Sequence, residues 1–214
     1  MSITLYTYFR SSAAFRVRIA LELKRLKHQD VYIHLRKNEQ MSQAFRDVNP
    51  QGFVPTLIHD GHAISQSLAI IEYLDEIFPE PPLLPEDPLS RAHVRQIAYA
   101  VACDIHPINN LRVRRFLLHE YKRNEPDVDV FVRHWIEQGF NALEKIIDED
   151  PQVGRFCHGD QPTLADICLI PQIANARTVD MDIDRWPRLR DIEKSAYEYP
   201  AFVTAQPKSQ ADAE

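Results

Sequence analysis

The chain has 214 residues, of which 44% are hydrophobic and 26% charged, enough to bury the core of one large or two small domains. Its formal net charge of −6 argues against a nucleic-acid partner, because sequence-independent binding to phosphates depends on dense Lys and Arg. Three cysteines with no CxxC pair fit a reducing compartment. The sequence contains neither the long apolar run that a membrane span needs nor the charged-then-apolar pattern of a leader. We therefore expect a cytoplasmic protein that does not contact the membrane.

The first part of the chain alternates between strand and helix patterns. The β-branched and aromatic run ITLYTY at 3–8 predicts a strand, apolar residues at helical spacing predict a helix over 13–26, and VYIHL at 31–35 predicts a second strand. Such a β-α-β unit places its two strands parallel, because the helix supplies the crossover. A short helix is expected near 40–47.

The next segment predicts a hairpin followed by a helix. TLIH and HAI flank Asp60-Gly61, and glycine accepts the positive φ that a two-residue hairpin turn demands. The following helix is expected to begin near Ser67, whose hydroxyl suits an N-cap. The first domain therefore has the order β-α-β then β-β-α.

A proline-rich stretch separates this region from the rest of the chain. PEPPLLPEDP contains five prolines and is typical of a stiff, extended linker. We expect an α/β domain over residues 1–80, the linker over 81–88 and an all-helical bundle domain over 89–214. In the second domain, helical spacing predicts one long helix over about 89–119 and another over about 128–148.

The sequence TLAD predicts a well-fixed helix. The Thr163 hydroxyl and the Asp166 carboxylate can each satisfy a backbone N–H, as in a capping box, so a helix is expected from Thr163 to about Arg177. Cys103 and Cys168 fall on apolar helical stripes, which predicts that both lie in the core. The final QPKSQADAE has little to bury and is predicted to be frayed.

The β-α-β, β-β-α order is that of thioredoxin-like domains, in which the N-terminus of the first helix carries the reactive group. There the unpaired N–H groups and the helix dipole stabilise an anion such as a thiolate. Redox members have CxxC at this place, whereas this chain has Ser11-Ser12-Ala13-Ala14, which excludes dithiol exchange. The site can still stabilise the sulfur of a ligand, with a serine hydroxyl as donor.

Two further segments are expected at the same edge. Val54-Pro55 precedes the third strand, where this fold commonly places a cis-proline that turns backbone groups toward the ligand. Gln66-Ser67 opens the next helix and presents backbone donors and a hydroxyl for a carboxylate. A tripeptide with a thiol and terminal carboxylates would fit such a groove.

Each of these residues also has a purely structural interpretation. Ser11 or Ser12 could simply cap the first helix. Arg10, Arg16 and Arg18 would ordinarily be solvated, and Arg10 alone lies where the strand meets the helix. His106 precedes a proline and would more often be structural than a substrate contact. The histidines show no convincing ligand spacing, so no metal is predicted.

Several segments together carry a family resemblance: YFRSSAAFRVRIAL, NPQGFVPTL, QSLAIIEYL, the proline-rich linker, IHPINNLRV and GDQPTLADICLIPQIANA. In order and in spacing, over nearly the whole chain, they resemble the zeta class of glutathione transferases. The resemblance implies the glutathione transferase fold, glutathione as cofactor and a homodimer, with the thioredoxin-like domain of one chain against the helical domain of the other.

The resemblance also assigns roles by position. Ser11, with Ser12 beside it, matches the serine that activates the glutathione sulfur, and Arg10 matches an arginine that holds a substrate carboxylate. Arg177 lies near a second such arginine, with the register open by one residue, and His106 is a candidate for orienting substrate. The expected glutathione contacts are Ser11, Val54, Pro55, Gln66, Ser67, Asn109 and Asn110.

The implied activity is the glutathione-dependent cis-trans isomerisation of maleylacetoacetate to fumarylacetoacetate in the degradation of aromatic amino acids. It proceeds by thiolate addition, bond rotation and thiolate elimination, so glutathione is regenerated. Maleylpyruvate is an alternative substrate. A general transferase that conjugates small electrophiles, and a non-enzymatic regulator on the same scaffold, are the other interpretations. The usual family cysteine is replaced by Ala13, which bears on any activity that relies on that thiol.

Overall fold

A computed structural model describes residues 2–214 and divides them into two units. The first unit contains the described residues up to Pro82 together with Tyr197–Glu214, and the second contains Leu83–Ala196. The expectation from sequence assigned residues 89–214 to the helical domain. The structure instead groups the last eighteen residues of the chain with the α/β unit.

The first unit is built on a four-stranded sheet. Its strands are β1 (Ile3–Thr7), β2 (Gln29–Tyr32), β3 (Thr56–His59) and β4 (His62–Ser65), in the order β2-β1-β3-β4. β1 pairs with β2 in parallel, whereas β3 is antiparallel to both β1 and β4. The expected β-α-β, β-β-α order is thus confirmed. Asp60 and Gly61, both at positive φ, form the predicted hairpin turn.

The helices of the first unit are α1 (Ser12–Leu23), α2 (Gln43–Val48), α3 (Ser67–Ile77) and α10 (Pro200–Ala205). α1 packs against α3 and against α10, so its apolar residues are covered on two faces. Lys24, at its end, donates to the Asp75 carboxylate at 2.8 Å and to the carbonyls of Phe78 and Pro81 at 2.6 and 2.9 Å. This buried ammonium holds the end of α3 against α1.

The second unit is all helical in the part of the chain that the structure describes. Its helices are α4 (Pro88–Tyr99), α5 (His106–Asn109), α6 (Leu111–His119), α7 (Glu125–Asp148), α8 (Leu164–Arg177) and α9 (Pro187–Ala196). The almost wholly buried α8 lies at its centre, in contact with α4 and α9. The predicted helices over 128–148 and from Thr163 to Arg177 are confirmed.

The single long helix expected over 89–119 is wrong. After α4 the chain forms a π-helical stretch at Ala100–Ile105, and Pro107 in the short α5 lacks the N–H that a regular helix needs. Asn110 is extended, and its side chain accepts from the N–H of Arg112, so it caps α6 and starts a new helix.

The prediction for the cysteines was half right. Cys168 and Cys157 are buried, but Cys103 is exposed. Cys103 lies in the π-helical stretch, where the wider turn rotates side chains away from the stripe that a regular α-helix would follow. Burial raises the pKa of Cys157 well above its usual range, which disfavours a reactive thiolate there.

The capping box that opens α8 is present. Thr163 Oγ accepts from the N–H of Ala165, and the buried Asp166 carboxylate accepts from the N–H groups of Thr163 and Cys157, both at 2.8 Å.

The prediction of a frayed C-terminal segment is wrong. Pro207–Ser209 forms a short 3₁₀ turn, and the side chains of Asp212 and Glu214 bind Phe9 and His34 of the same unit. Among the described residues, none of the helices has the length and apolarity required to span a bilayer.

Candidate glutathione site

The register of the sheet brings three predicted segments to one edge. Tyr6 of β1 pairs with Thr56 of β3, and Thr56 pairs with Ser65 of β4. Because both pairings are antiparallel, the carboxyl ends of β1 and β4 meet the amino end of β3. The segments Arg10–Ser12, Val54–Pro55 and Gln66–Ser67 adjoin these three strand ends, as the sequence predicted.

The N-terminus of α1 is arranged to stabilise an anion. Ser11 is the N-cap, and its Oγ accepts from the N–H of Ala14 at 3.1 Å. The N–H groups of Ser12 and Ala13 lie in the first turn, where no intrahelical acceptor exists. Accepting from Ala14 leaves the Ser11 hydroxyl proton available to a ligand, so capping and donation to a thiolate are compatible.

The loop before β3 is shaped by its own hydrogen bonds. Asn49 donates to the carbonyl of Phe53 at 2.9 Å and to Thr56 Oγ1 at 3.0 Å, and accepts from the N–H of Gln51 at 3.1 Å. Gly52 has φ +64°, and a Cβ there would lie 2.9 Å from the carbonyl oxygen of Gln40. Only glycine therefore fits this turn without strain.

The peptide bond between Val54 and Pro55 is cis, as predicted. The Val54 side chain packs with Tyr8, Phe9 and Phe45 in a small buried cluster, which joins the end of β1 to the proline loop. The backbone of Val54 is thereby held beside the strand end that leads into Ser11.

The start of α3 departs from the prediction in one respect. Its N-cap is Gln66 rather than Ser67, and the Gln66 side chain makes no capping bond but donates to Gln51 Oε1 at 2.9 Å. Gln66 has φ 73°, a conformation that non-glycine residues rarely adopt and that is concentrated at functional sites. Ser67 is buried, and its Oγ accepts from Arg16 Nη1 at 3.2 Å.

The predicted residues of the second unit have structural partners. Asn109 is buried and its Oδ1 accepts from Asn175 Nδ2 at 2.9 Å, which ties α5 to α8. Asn110 is the N-cap of α6, and His106 is the first residue of α5. Their expected contacts with glutathione or substrate remain predictions.

Arg177 is engaged within the second unit. Its Nε and Nη2 donate to the two carboxylate oxygens of Glu193 at 3.3 and 2.5 Å. This bidentate ion pair uses the guanidinium nitrogens of Arg177 that were expected to bind a substrate carboxylate. Arg10, in contrast, is exposed at the site edge of the first unit.

Comparison with known proteins identifies the family. The model of the glutathione S-transferase N-terminal domain matches residues 1–76, and that of the C-terminal domain matches residues 134–192. A probable maleylacetoacetate isomerase of Vibrio cholerae is 42% identical and covers 100% of this chain and 99% of its own length. The chain belongs to the glutathione S-transferase family, in its zeta class.

Two solved relatives have nearly the same fold as this transferase. A holo structure of a bacterial maleylpyruvate isomerase, described as a zeta-class glutathione S-transferase, has a TM-score of 0.97 at 40% identity and covers 99% of this chain and 100% of its own. A maleylacetoacetate isomerase from Methylobacterium extorquens AM1, with bound malonate and glutathione, has a TM-score of 0.96 at 38% identity and covers 99% of both chains.

The sequence analysis missed two buried arginines of this transferase. Arg16 and Arg18, expected to be solvated, are each only 2% exposed. The sequence pattern of α1 could have revealed their burial. Two apolar stripes predict a helix that is buried on much of its surface, and residues between those stripes must then be buried as well. Arg16 supports Ser67, and Arg18 binds the end of β1.

One group in the second unit has donors suited to a divalent cation. His93, Asp150 and His158 each place one ligand atom within 4.8 Å of the others. Asp150 Oδ2 is 3.1 Å from His93 Nε2 and 3.2 Å from His158 Nδ1, and the second contact is a hydrogen bond. Burial raises the pKa of Asp150, but hydrogen bonds from Gln152 N–H and His158 outweigh it, so the net pKa is lowered.

Proposed function

We propose that this zeta-class transferase is a glutathione-dependent cis-trans isomerase of small cis-ene-dioates that carry a keto group. Maleylacetoacetate is the proposed substrate and maleylpyruvate the alternative. The observation that carries the proposal is the N-terminus of α1, where the Ser11 hydroxyl and the first-turn N–H groups offer hydrogen bonds to an anionic sulfur.

The residues of the first unit fit the parts of glutathione. Ser11, with Ser12 beside it, is proposed to hold the sulfur, and the backbone of Val54 before the cis-Pro55 to pair with the cysteinyl residue. Gln66 and Ser67, at the N-terminus of α3, are proposed to hold the γ-glutamyl carboxylate. The positive end of that helix and the buried Arg16 behind Ser67 both favour a negative charge there.

Bound glutathione would supply a thiolate that adds to the conjugated double bond and leaves again after the bond has rotated. The chain's own contribution is to keep the sulfur ionised through Ser11 and to orient the diacid through Arg10. Arginine suits this task because its planar fork meets a carboxylate in bidentate fashion, and a nearby cation also stabilises negative charge that develops on the carbonyl. Neither step needs a thiol at Ala13.

Two kinds of observation support this assignment. The relatives named above are maleylacetoacetate and maleylpyruvate isomerases, and one of them binds malonate, a small dicarboxylate, together with glutathione. In this chain, Ser11, Val54-Pro55 and Gln66-Ser67 are all retained at one sheet edge, which a regulator without a glutathione site would not require.

The test is to offer purified maleylacetoacetate and maleylpyruvate with and without glutathione, and to follow both isomerisation and the amount of free glutathione. The proposal expects isomerisation only with glutathione, whose concentration stays constant. Stoichiometric loss of glutathione would identify a conjugating transferase instead. Equal isomerisation rates with and without glutathione would contradict the thiolate-addition mechanism. The ratio of the kcat/KM values for the two diacids would identify the preferred substrate.

We also propose that the protein is a cytoplasmic homodimer that acts in the catabolism of aromatic amino acids. None of its three cysteines forms a disulfide in the part of the chain that the structure describes, which suits a reducing compartment. Light scattering coupled to size-exclusion chromatography would measure the mass of the assembly. A mass near that of one chain at micromolar concentration would contradict the dimer.

A further inference from the structure

The turn that leads from β1 to Ser11 is held by a buried arginine. Arg18 Nη1 donates to Thr7 Oγ1 at 3.0 Å and to the carbonyl of Tyr8 at 3.3 Å, and its Nη2 donates to the carbonyl of Phe9 at 3.2 Å. The Tyr8 carbonyl also accepts from the N–H of Ser11 at 3.0 Å, which closes the turn. One guanidinium therefore binds two successive carbonyls directly before Arg10 and Ser11.

The C-terminal segment completes this network. Asp212 Oδ2 accepts from the N–H of Phe9 at 3.0 Å, across 203 positions of sequence. The Nε of Arg18 donates to the carbonyl of Ala205 at 2.9 Å, so the same arginine binds the helix that leads into the C-terminal segment. The N–H of Phe9 and the carbonyls of Tyr8 and Phe9 are thus all bound by Asp212 or Arg18.

Charge complements these hydrogen bonds. Burial lowers the pKa of Arg18 to about 10, and the Asp212 carboxylate opposes this by favouring the charged guanidinium. Asp212 Oδ1 is buried and has no hydrogen-bond partner among the described residues. A neutral residue at position 212 would leave the arginine buried without its largest opposite charge.

We propose that Asp212 is a positioning residue for the glutathione site. Together with Arg18 it fixes the backbone of the Tyr8–Ser11 turn, and thereby the placement of the Ser11 hydroxyl and of Arg10, without touching either ligand. This inference rests on the proposed function, because it concerns the same site. It predicts that the C-terminal segment is required for thiol activation, not only for stability.

The test compares Asp212→Asn and Asp212→Ala with the control Glu214→Gln. Asparagine keeps an oxygen for the N–H of Phe9 but removes the charge, whereas alanine removes both. The control removes a carboxylate from the same segment, one that binds His34 Nε2 at 2.6 Å rather than the turn. For each protein we would measure glutathione affinity, the pKa of the bound thiol by thiolate absorbance, kcat and KM, thermal unfolding, and hydrogen exchange in residues 8–15.

The proposal expects graded effects in folded protein. Asp212→Asn should raise the pKa of bound glutathione and lower kcat/KM on the order of tenfold, and Asp212→Ala on the order of a hundredfold, as for other small displacements of a catalytic group. Hydrogen exchange in residues 8–15 should become faster in both. Glu214→Gln should match the parent in thiol pKa and in kcat/KM.

Failure of this inference is distinct from failure of the proposed function. If the parent isomerises the diacid and both Asp212 variants keep its thiol pKa and kcat/KM, the positioning role is wrong while the isomerase assignment stands. A lower unfolding midpoint with parental thiol pKa would likewise reduce Asp212 to a stabilising residue. If the parent binds glutathione but does not isomerise, the isomerase assignment fails, and thiol pKa and affinity still decide the role of Asp212.

Discussion

Replacing Ser11 by alanine removes two interactions at once, and they can be separated. The first is the cap, in which Ser11 Oγ accepts from the N–H of Ala14 at 3.1 Å. Losing an N-cap serine costs about 1 kcal/mol of unfolding free energy. The second is the proposed bond from the Ser11 hydroxyl to the sulfur of bound glutathione, and a bond to a charged acceptor contributes about 1.5–3 kcal/mol.

The second term sets the size of the expected effect. Since 1.36 kcal/mol corresponds to one pH unit, losing the bond to the thiolate should raise the pKa of bound glutathione by about one to two pH units. The pH dependence of kcat/KM should move upward by the same amount. Below the new pKa, the ionised fraction, and the rate with it, falls about tenfold per pH unit.

Ser42→Ala is the matched control for this experiment. Ser42 caps α2 in the same way, its Oγ accepting from the N–H of Phe45 at 3.3 Å, but α2 carries no proposed ligand contact. Both variants should lose a similar amount of stability in urea titrations, and only Ser11→Ala should alter the absorbance titration of bound glutathione. A parental thiol pKa in Ser11→Ala, or an equal rise in Ser42→Ala, would refute the assigned role.

Three further substitutions test other parts of the structure. Arg10→Ala should raise KM for the diacid by on the order of tenfold or more. The control Lys27→Ala, which removes another exposed cation of the first unit, should keep the parental KM. Equal KM values for the two variants would exclude Arg10 from substrate binding. Asp166→Asn should lower the free energy of unfolding, measured in urea, by about 2–3 kcal/mol. The reason is that one amide oxygen replaces two carboxylate oxygens that together accept three hydrogen bonds. Parental stability would contradict that account. Gly52→Ala should cost more stability than Gly61→Ala, since both have positive φ but only the first meets a backbone carbonyl; equal losses would show that the contact relaxes freely.

The features that the sequence predicted correctly are those set by neighbouring residues. Asp60-Gly61 defines a hairpin turn, and Thr163 with Asp166 defines a capped helix, because each pattern closes its hydrogen bonds within a few positions. The placement of the three predicted segments at one sheet edge was also correct, since the order of strands and helices alone brings those strand ends together.

The features that the sequence could not predict depend on contacts between distant residues. Nothing in QPKSQADAE indicates that Asp212 binds the N–H of Phe9, and the pairing of Arg177 with Glu193 requires α8 and α9 to be packed first. The break between α5 and α6 was missed for a different reason. The apolar period continues across Asn110, although its side chain caps a new helix.

The grouping of Tyr197–Glu214 with the α/β unit has a consequence for biosynthesis. α1 is covered by α10, and Arg18 and Phe9 bind residues that the ribosome adds after the whole second unit. The first unit, although most of its residues precede the second unit in the chain, therefore receives its last contacts only after the second unit has been synthesised. Nascent chains stalled after residue 196 should expose the α10-facing side of α1 to chaperones, whereas the second unit is by then fully synthesised.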